Sequence, residues 1–416
     1  MKVLGLLLVL TVGVSTAEKI VCYFSSWAVY RPDQGKFDVE DIDPFLCTHF
    51  IFSFAGLSNH TWEIEVLDPW NELCPWETGG NHCAYQRFVD QKWTNPDLTL
   101  LLALGGWNEG SEDYSVMAAD PTKRKTFIDS CIALLHTQHF DGMDFDWEYP
   151  AARGGKPEDK ENYVTLMQEM FLAFKAATPR LMLTAAMPAG KPTIDTGYDI
   201  TALIPIVDQF HIMAYDYHGS FEDHTHHNAP LCGYKEDTGN DTYFNIDYTV
   251  NYYLDLGMPK DKMILGTPMY GRCYVLDNIE DHGMLAPAHL PGPPGPYLRI
   301  PGTLAANEIC LRLRDDLSCT VVHDPDLYEP YFYCEKDKIW CGYDDEDSIY
   351  IKARYAKNLG LAGVVAWTMD EDDFHPTCYE DAFHLINTIK KALDKPAGGD
   401  VIDCDATRPA KQINNE

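Results

Sequence analysis

The sequence predicts a (β/α)8 barrel with a small α+β module inserted between its seventh strand and the following helix, and three observations carry that prediction. Eight short apolar or β-branched runs recur along the chain, most of them followed by a loop and an amphipathic helical pattern. After the seventh run the next helical pattern is delayed by about 75 residues, against connections of roughly 2–6 residues usual in such units. About 400 residues remain once an N-terminal leader is set aside, enough for one such barrel with an insertion or for two or three ordinary domains, so the repeat and not the length decides.

In chain order the runs are Ile20–Phe24, Thr48–Phe54, Leu98–Leu104, Gly142–Trp147, Leu181–Met187, Gln209–Tyr215, Met263–Tyr270 and Ala362–Trp367. Helical patterns cover Lys123–Gln138, Lys156–Ala177, Asn245–Leu256, Ser348–Asn358 and Tyr379–Ala392. Asp120-Pro121 and Lys156-Pro157 punctuate helix starts, and Gly257 and Gly360 mark ends. The expected organisation is a leader at 1–17, the first barrel part at 18–272, the insertion at 273–345, the second barrel part at 346–395 and a loosely ordered tail at 396–416. The leader has one Lys, the apolar run Leu4 to Val14 and the small residues Ser15, Thr16 and Ala17, the layout of a cleaved secretory signal. It is too short to span a membrane, and no later run is long enough. A secreted protein without a membrane segment is therefore expected.

A formal charge of −32 disfavours nucleic acid and anionic membranes as partners and suits a neutral or cationic substrate. The 13 cysteines all follow the leader and, in an exported chain, are read as disulfide formers, with one thiol left over. Cys22 and Cys47 are placed to pin neighbouring strands. Cys74 with Cys83 and Cys334 with Cys341 read as local loop staples, Cys310 and Cys378 are further candidates, and Cys131 is the expected buried free thiol. Cys404 stands alone in the tail. Asn59-His60-Thr61 and Asn240-Asp241-Thr242 are sequons, which makes Asn59 and Asn240 glycosylation candidates.

Sites in such barrels lie at the C-terminal strand ends. Those ends offer Trp27 and Tyr30, Trp107, Asp146 and Glu148, Met187, Tyr215 and Asp216, Tyr270 and Arg272, and Trp367. Aromatic faces around carboxylates suit a pyranose chain, whose ring faces stack on indoles while its hydroxyls and amides bond to polar groups. Asp144, Asp146 and Glu148 alternate, so on a strand they share one face at roughly 6 to 7 Å spacing. Three such acids without a nearby cation on the strand cannot all be ionised; protons must be shared, and a raised pKa on the outermost suits a general acid. A solvated acidic patch is disfavoured by the intervening Phe145 and Trp147, and a metal-binding carboxylate cluster by the want of any reason for His218, His224, His226 and His227 to be ligands, since they read as loop residues; no metal or cofactor is expected.

The segment Asp141 to Pro150 resembles the signature of family-18 glycoside hydrolases, the chitinases and chitinase-like lectins. Leu104-Gly105-Gly106-Trp107, Met213-Ala214-Tyr215-Asp216-Tyr217, Met269-Tyr270-Gly271-Arg272 and Ala366-Trp367 extend the resemblance, which runs from about Lys19 to Leu393 and is arthropod-like in the stretch from Asp216 to Leu231. The resemblance implies a TIM barrel and an endo-acting, retaining chitinase cleaving β-1,4 N-acetylglucosamine linkages in chitin or chitooligosaccharides, assisted by the substrate's own acetamido group. It implies Glu148 as the acid, Asp146 as the partner of the acetamide nitrogen, Asp144 as a proton acceptor beneath it, and Tyr215 on the acetamide oxygen. Trp367 would floor the distorted sugar, with Trp27, Tyr30, Trp107, Met213, Asp216, Tyr270 and Arg272 as groove contacts. A monomer is expected.

Three departures stand out. Ile300 occupies the place, ten residues before Cys310, where family members often carry a groove-facing Glu. The loop holding Trp70, Cys74, Trp76 and Cys83 is elaborated. No Cys-rich chitin-binding module follows Pro396, so weaker anchoring to crystalline chitin is expected. Two rival readings share this sequence: a chitin-binding lectin on the same fold, disfavoured by the intact Glu148, and an endo-β-N-acetylglucosaminidase acting on glycoprotein glycans.

Overall fold

A computed structural model describes residues 18–399 together with Ile402 and Cys404. The expected leader at 1–17, and the rest of the expected tail, lie outside the described residues. The eight runs form parallel strands Lys19–Ser25, His49–Leu57, Thr99–Gly105, Gly142–Asp146, Met182–Met187, Gln209–Ile212, Met263–Pro268 and Gly363–Trp367, the first to eighth of the barrel. Neighbours pair in chain order, and the first strand closes the ring against both the second and the eighth.

The period-2 pattern separates two apolar layers. Val21, Tyr23, Ile51, Leu101, Ala103, Ile264 and Val365 fill the barrel interior. Their strand neighbours Cys22, Phe24, Phe50, Phe52, Leu100, Leu102, Met143 and Phe145 point outward into the larger core beneath the helices. Both faces are thus covered, which is why the runs read as nearly continuous hydrophobic stretches.

The helices follow their caps. Asp120 accepts from the backbone N–H of Thr122 and Lys123 at the head of Pro121–Thr137. Asp345 caps Glu346–Leu359, and Gly360, at φ 75°, ends it in the left-handed conformation a glycine adopts without strain. The last helix departs from expectation, running His384–Leu393 instead of starting at Tyr379. The Asp373 carboxylate takes the backbone N–H of Thr377, Cys378 and Tyr379, so those residues turn around a side chain instead of bonding along a helix.

The seventh run also splits. Its barrel strand stops at Pro268, and Tyr270–Val275 opens a second, antiparallel sheet with Leu290–Pro291, Thr303–Ala305, Cys319–Asp324, Glu329–Cys334 and Ile339–Gly342. Tyr270 and Arg272 therefore stand on the first strand of the inserted sheet, not at a barrel strand end.

Six disulfides join the described cysteines: Cys22–Cys47, Cys74–Cys83, Cys232–Cys404, Cys273–Cys341, Cys310–Cys378 and Cys319–Cys334. Cys131 is free and buried. The expected Cys334–Cys341 staple is absent because, in the hairpin they share, Cys341 lies opposite Phe332 and Cys334 opposite Ile339. Each instead bonds its direct cross-strand partner on the other side, Cys319 facing Cys334 and Cys341 facing Cys273. Cys404, read as a lone tail cysteine, is buried and tied to the loop after the sixth strand.

Candidate active site

The fourth strand ends at Asp146, and its alternation holds: Asp144 and Asp146 face the interior, while Phe145 and Trp147 pack outward against Tyr114 and Tyr163. Glu148 lies just past the strand, with the Trp147 carbonyl fixed by the Tyr198 hydroxyl at 3.0 Å and the Tyr149 carbonyl by Ser111 Oγ at 2.8 Å. Gly105 lets the third strand close over this turn. A Cβ there would sit 2.1 Å from the Asp146 carbonyl oxygen, and φ is +108°.

The three acids have different environments. Asp144 is fully buried; Thr184 Oγ1 donates to its Oδ1 at 2.5 Å, His211 Nδ1 lies 2.9 Å from the same oxygen, and the Tyr23 hydroxyl donates to Oδ2. Burial alone would raise its pKa, but the facing His211 and the Thr184 and Tyr23 donors outweigh it and hold Asp144 below the ordinary value. Asp146 is pushed well above the ordinary value by burial, then by the charges of Glu148 and Asp144. Its Oδ1 is buried without a hydrogen-bond partner among the described residues. Glu148 is raised to about 7, chiefly by burial and further by Asp216, with the Tyr149 hydrogen bond and the Arg153 charge opposing.

Sequence reasoning reached Asp144 without its partners. Tyr23, Thr184 and His211 are inward residues of the first, fifth and sixth strands, and only barrel closure brings them to the fourth. Arg153 was also missed: its Nη1 donates to the Glu148 carbonyl at 2.9 Å, and its guanidinium lies 3.6 Å over the Trp107 ring.

The other expected residues fall into three groups. Trp367, Phe54 and Trp27 stack in a row, with centroids 5.8 and 6.0 Å apart. Tyr30 instead stacks on Trp70 at 6.5 Å and donates to Asp68 at 2.5 Å. Tyr215 is buried, its ring edge-on to Tyr270, while Met213 is half-buried at the end of the sixth strand. Asp216 Oδ1 accepts from the Tyr270 hydroxyl at 2.7 Å and from Arg272 Nε at 2.7 Å and Nη2 at 2.6 Å. Ile300 is exposed on the inserted module. His218, His226 and His227 lie in the loop after the sixth strand, as read, but are buried in it. Asn59 and Asn240 are exposed.

A closed barrel, with paired acids at the fourth strand end and an antiparallel module after the seventh strand, is matched by the Glycosyl hydrolases family 18 model over residues 19–372. The chain belongs to glycosyl hydrolase family 18. Chitotriosidase-1 of Mus musculus is 37% identical over 94% of this chain and 82% of its own length. The Ostrinia furnacalis Group IV chitinase structure superposes with a TM-score of 0.86 at 36% identity, covering 91% of this chain and all of that one. Human YKL-39, described as a pseudo-chitinase with retained chitooligosaccharide binding properties, has a TM-score of 0.82 at 34% identity over 91% of this chain and 100% of its own. The family thus spans chitinases and a binding-only relative, and the acid ladder is where this chain must be placed between them.

Proposed function

We propose that this family-18 chain is a secreted, endo-acting, retaining chitinase that hydrolyses β-1,4 N-acetylglucosamine linkages by substrate-assisted catalysis. The observation that carries the reading is the acid ladder itself: Asp144 contacted by Tyr23, Thr184 and His211, Asp146 buried above it with Oδ1 unpartnered among the described residues and its pKa well above the ordinary value, and Glu148 buried just past the strand with its pKa raised to about 7. A carboxyl poised there is protonated enough to donate and acidic enough to let go.

In this reading Glu148 protonates the glycosidic oxygen as the bond to the anomeric carbon breaks. The acetamide carbonyl oxygen of the same sugar attacks that carbon, giving an oxazolinium ion without a carboxylate nucleophile from the protein. Asp146 passes its proton down to Asp144 and accepts the acetamide N–H, stabilising the developing charge. Tyr215, its pKa raised well above the ordinary value first by burial and then by the facing acids, stays a neutral donor for the acetamide oxygen. Water then attacks the anomeric carbon and gives its proton to the Glu148 carboxylate, restoring the acid. Trp367 supplies the sugar floor with Trp27 as a contact further along the groove, and Asn59 and Asn240 are proposed glycan sites of the exported protein.

The test pairs wild type with Glu148→Gln on chitooligosaccharides. The expected result is turnover by wild type, a loss of about 10²- to 10⁴-fold in the variant, and retained binding. Binding with no turnover by either protein would place the chain with its pseudo-chitinase relative, and cleavage of glycoprotein glycans in preference to chitin oligomers would point to the endo-β-N-acetylglucosaminidase reading.

A further inference from the structure

We infer that Asn228 is a positioning residue for catalysis: from a buried loop it fixes the Asp216–Arg272–Tyr270 arm beside Glu148 and thereby makes the inserted sheet part of the acid's surroundings. The inference rests on the chitinase reading above and adds a residue that touches neither substrate nor acid.

The Asn228 side chain is fully buried and uses both ends of its carboxamide. Oδ1 accepts from the backbone N–H of Asp216 at 3.0 Å, and Nδ2 donates to the Tyr270 carbonyl at 3.1 Å. Its own carbonyl accepts from Tyr217 N at 3.1 Å. One residue therefore joins the loop after the sixth barrel strand to the first strand of the inserted sheet. Asp216 has φ 56°, a left-handed conformation that a residue other than glycine holds only when its surroundings impose it. The Asn228 bond to the Asp216 N–H is one such constraint. The Asp216 carboxylate, bound by Tyr270 and Arg272, is the other.

The anchor is itself closely held. Ala229 N donates to Glu329 Oε2 at 2.9 Å, and Glu329 lies 3.7 Å from the buried Lys352. Gly342 packs so closely that a Cβ would come within 3.1 Å of the His227 Cα. Only a carboxamide fits the demand at 228: aspartate cannot donate to the Tyr270 carbonyl, and alanine can do neither.

The consequence reaches Glu148 through charge. Glu148 is faced by Asp146, Tyr149, Arg153, Tyr215 and Asp216, and Asp216 by Tyr149, Tyr215, Tyr270 and Arg272. Asp216 is the acid in that set held by a loop outside the fourth strand, so it is the one that Asn228 can move. Its negative charge favours the protonated Glu148. If the arm slackens, Glu148 loses that support and ionises at lower pH.

The experiment compares the pH profile of kcat/KM for wild type, Asn228→Ala and Asn228→Ser, each alone and combined with Asp216→Asn, on a chitooligosaccharide substrate. Asn228→Ala is expected to move the basic limb to lower pH by roughly 0.5 unit or more and to lower kcat/KM by about tenfold. Asp216→Asn alone should move the limb the same way, and adding Asn228→Ala to it should move it no further. A basic limb that stays in place in both Asn228 variants would overturn the inference. So would a shift that persists in full on the Asp216→Asn background, or failure of both Asn228 variants to fold, since a positioning role requires a folded protein without the residue. Chitotetraose binding, read in the Glu148→Gln background, separates this from the reading of function: Asn228→Ala should weaken it about threefold or more. Absence of wild-type turnover with that weakening intact would sink the chitinase reading alone, and unweakened binding would sink the inference.

Discussion

At the floor of the site Tyr23, Asp144, Thr184 and His211 are at most 2% exposed, whereas at its rim Trp27, Tyr30 and Trp107 are 43, 56 and 59% exposed. The floor groups converge on Asp144 from three other strands, so its surroundings are set by the fold before any ligand arrives. The rim leaves indole and phenol faces in water, where covering them with a sugar releases apolar surface from solvent. In the proposed reading the floor therefore carries chemistry and stability together, while the rim carries affinity with little effect on folding. Burial marks which is which.

The sharpest way to break this contrast is His211→Ala. Removing one partner of a buried polar contact leaves Asp144 without its facing group, which should cost on the order of 3 kcal/mol in unfolding free energy and more than tenfold in kcat. A denaturant titration and steady-state kinetics check both, and a variant that loses activity at unchanged stability would break the link between floor and fold.

A middle-sized effect is the pH dependence of the acid. Glu148 must be protonated to donate, so kcat/KM should fall as pH rises through about 7. The same shift has a stability sign. A carboxyl raised in the folded state binds its proton more tightly there than in the unfolded chain, so its contribution is greatest below the ordinary carboxylate range and is lost as pH climbs from about 4.5 to about 7. Glu148→Gln removes that dependence, and melts across this window should show wild type losing stability relative to the variant as pH rises.

The smallest effect belongs to the rim. Trp27→Ala should raise KM by roughly three- to tenfold and leave kcat and melting temperature nearly unchanged, because the ring is 43% exposed and its stacking partner is the single ring of Phe54 among the described residues. A large fall in kcat instead would mean that the rim reaches the reacting sugar.

The same contrast explains what the sequence made legible. Alternation along Gly142–Asp146 was enough to place Asp144 and Asp146 on one inner face, and the strand-end rule picked out Trp27, Trp107, Tyr215 and Trp367 as candidates, since both depend on local periodicity. Tyr23, Thr184 and His211 gave no local signal: each is an ordinary inward residue of its own strand, and Tyr23 meets Asp144 only across a gap of 121 residues. Sequence closeness also misled. Cys334 and Cys341 look like a loop staple until hairpin register puts Phe332 opposite Cys341. The seventh run read as one strand through Tyr270 because its apolar character continues past Pro268, where the chain leaves the barrel for the inserted sheet.

The most direct test of the account is the anomeric configuration of the first product released from a chitin hexamer, followed by NMR before mutarotation. Attack by the substrate's own acetamide followed by water is a double displacement and predicts retention, with the new reducing end appearing first as the β anomer. The α anomer appearing first would contradict acetamide-assisted catalysis and the roles assigned to Asp146 and Asp144 beneath Glu148.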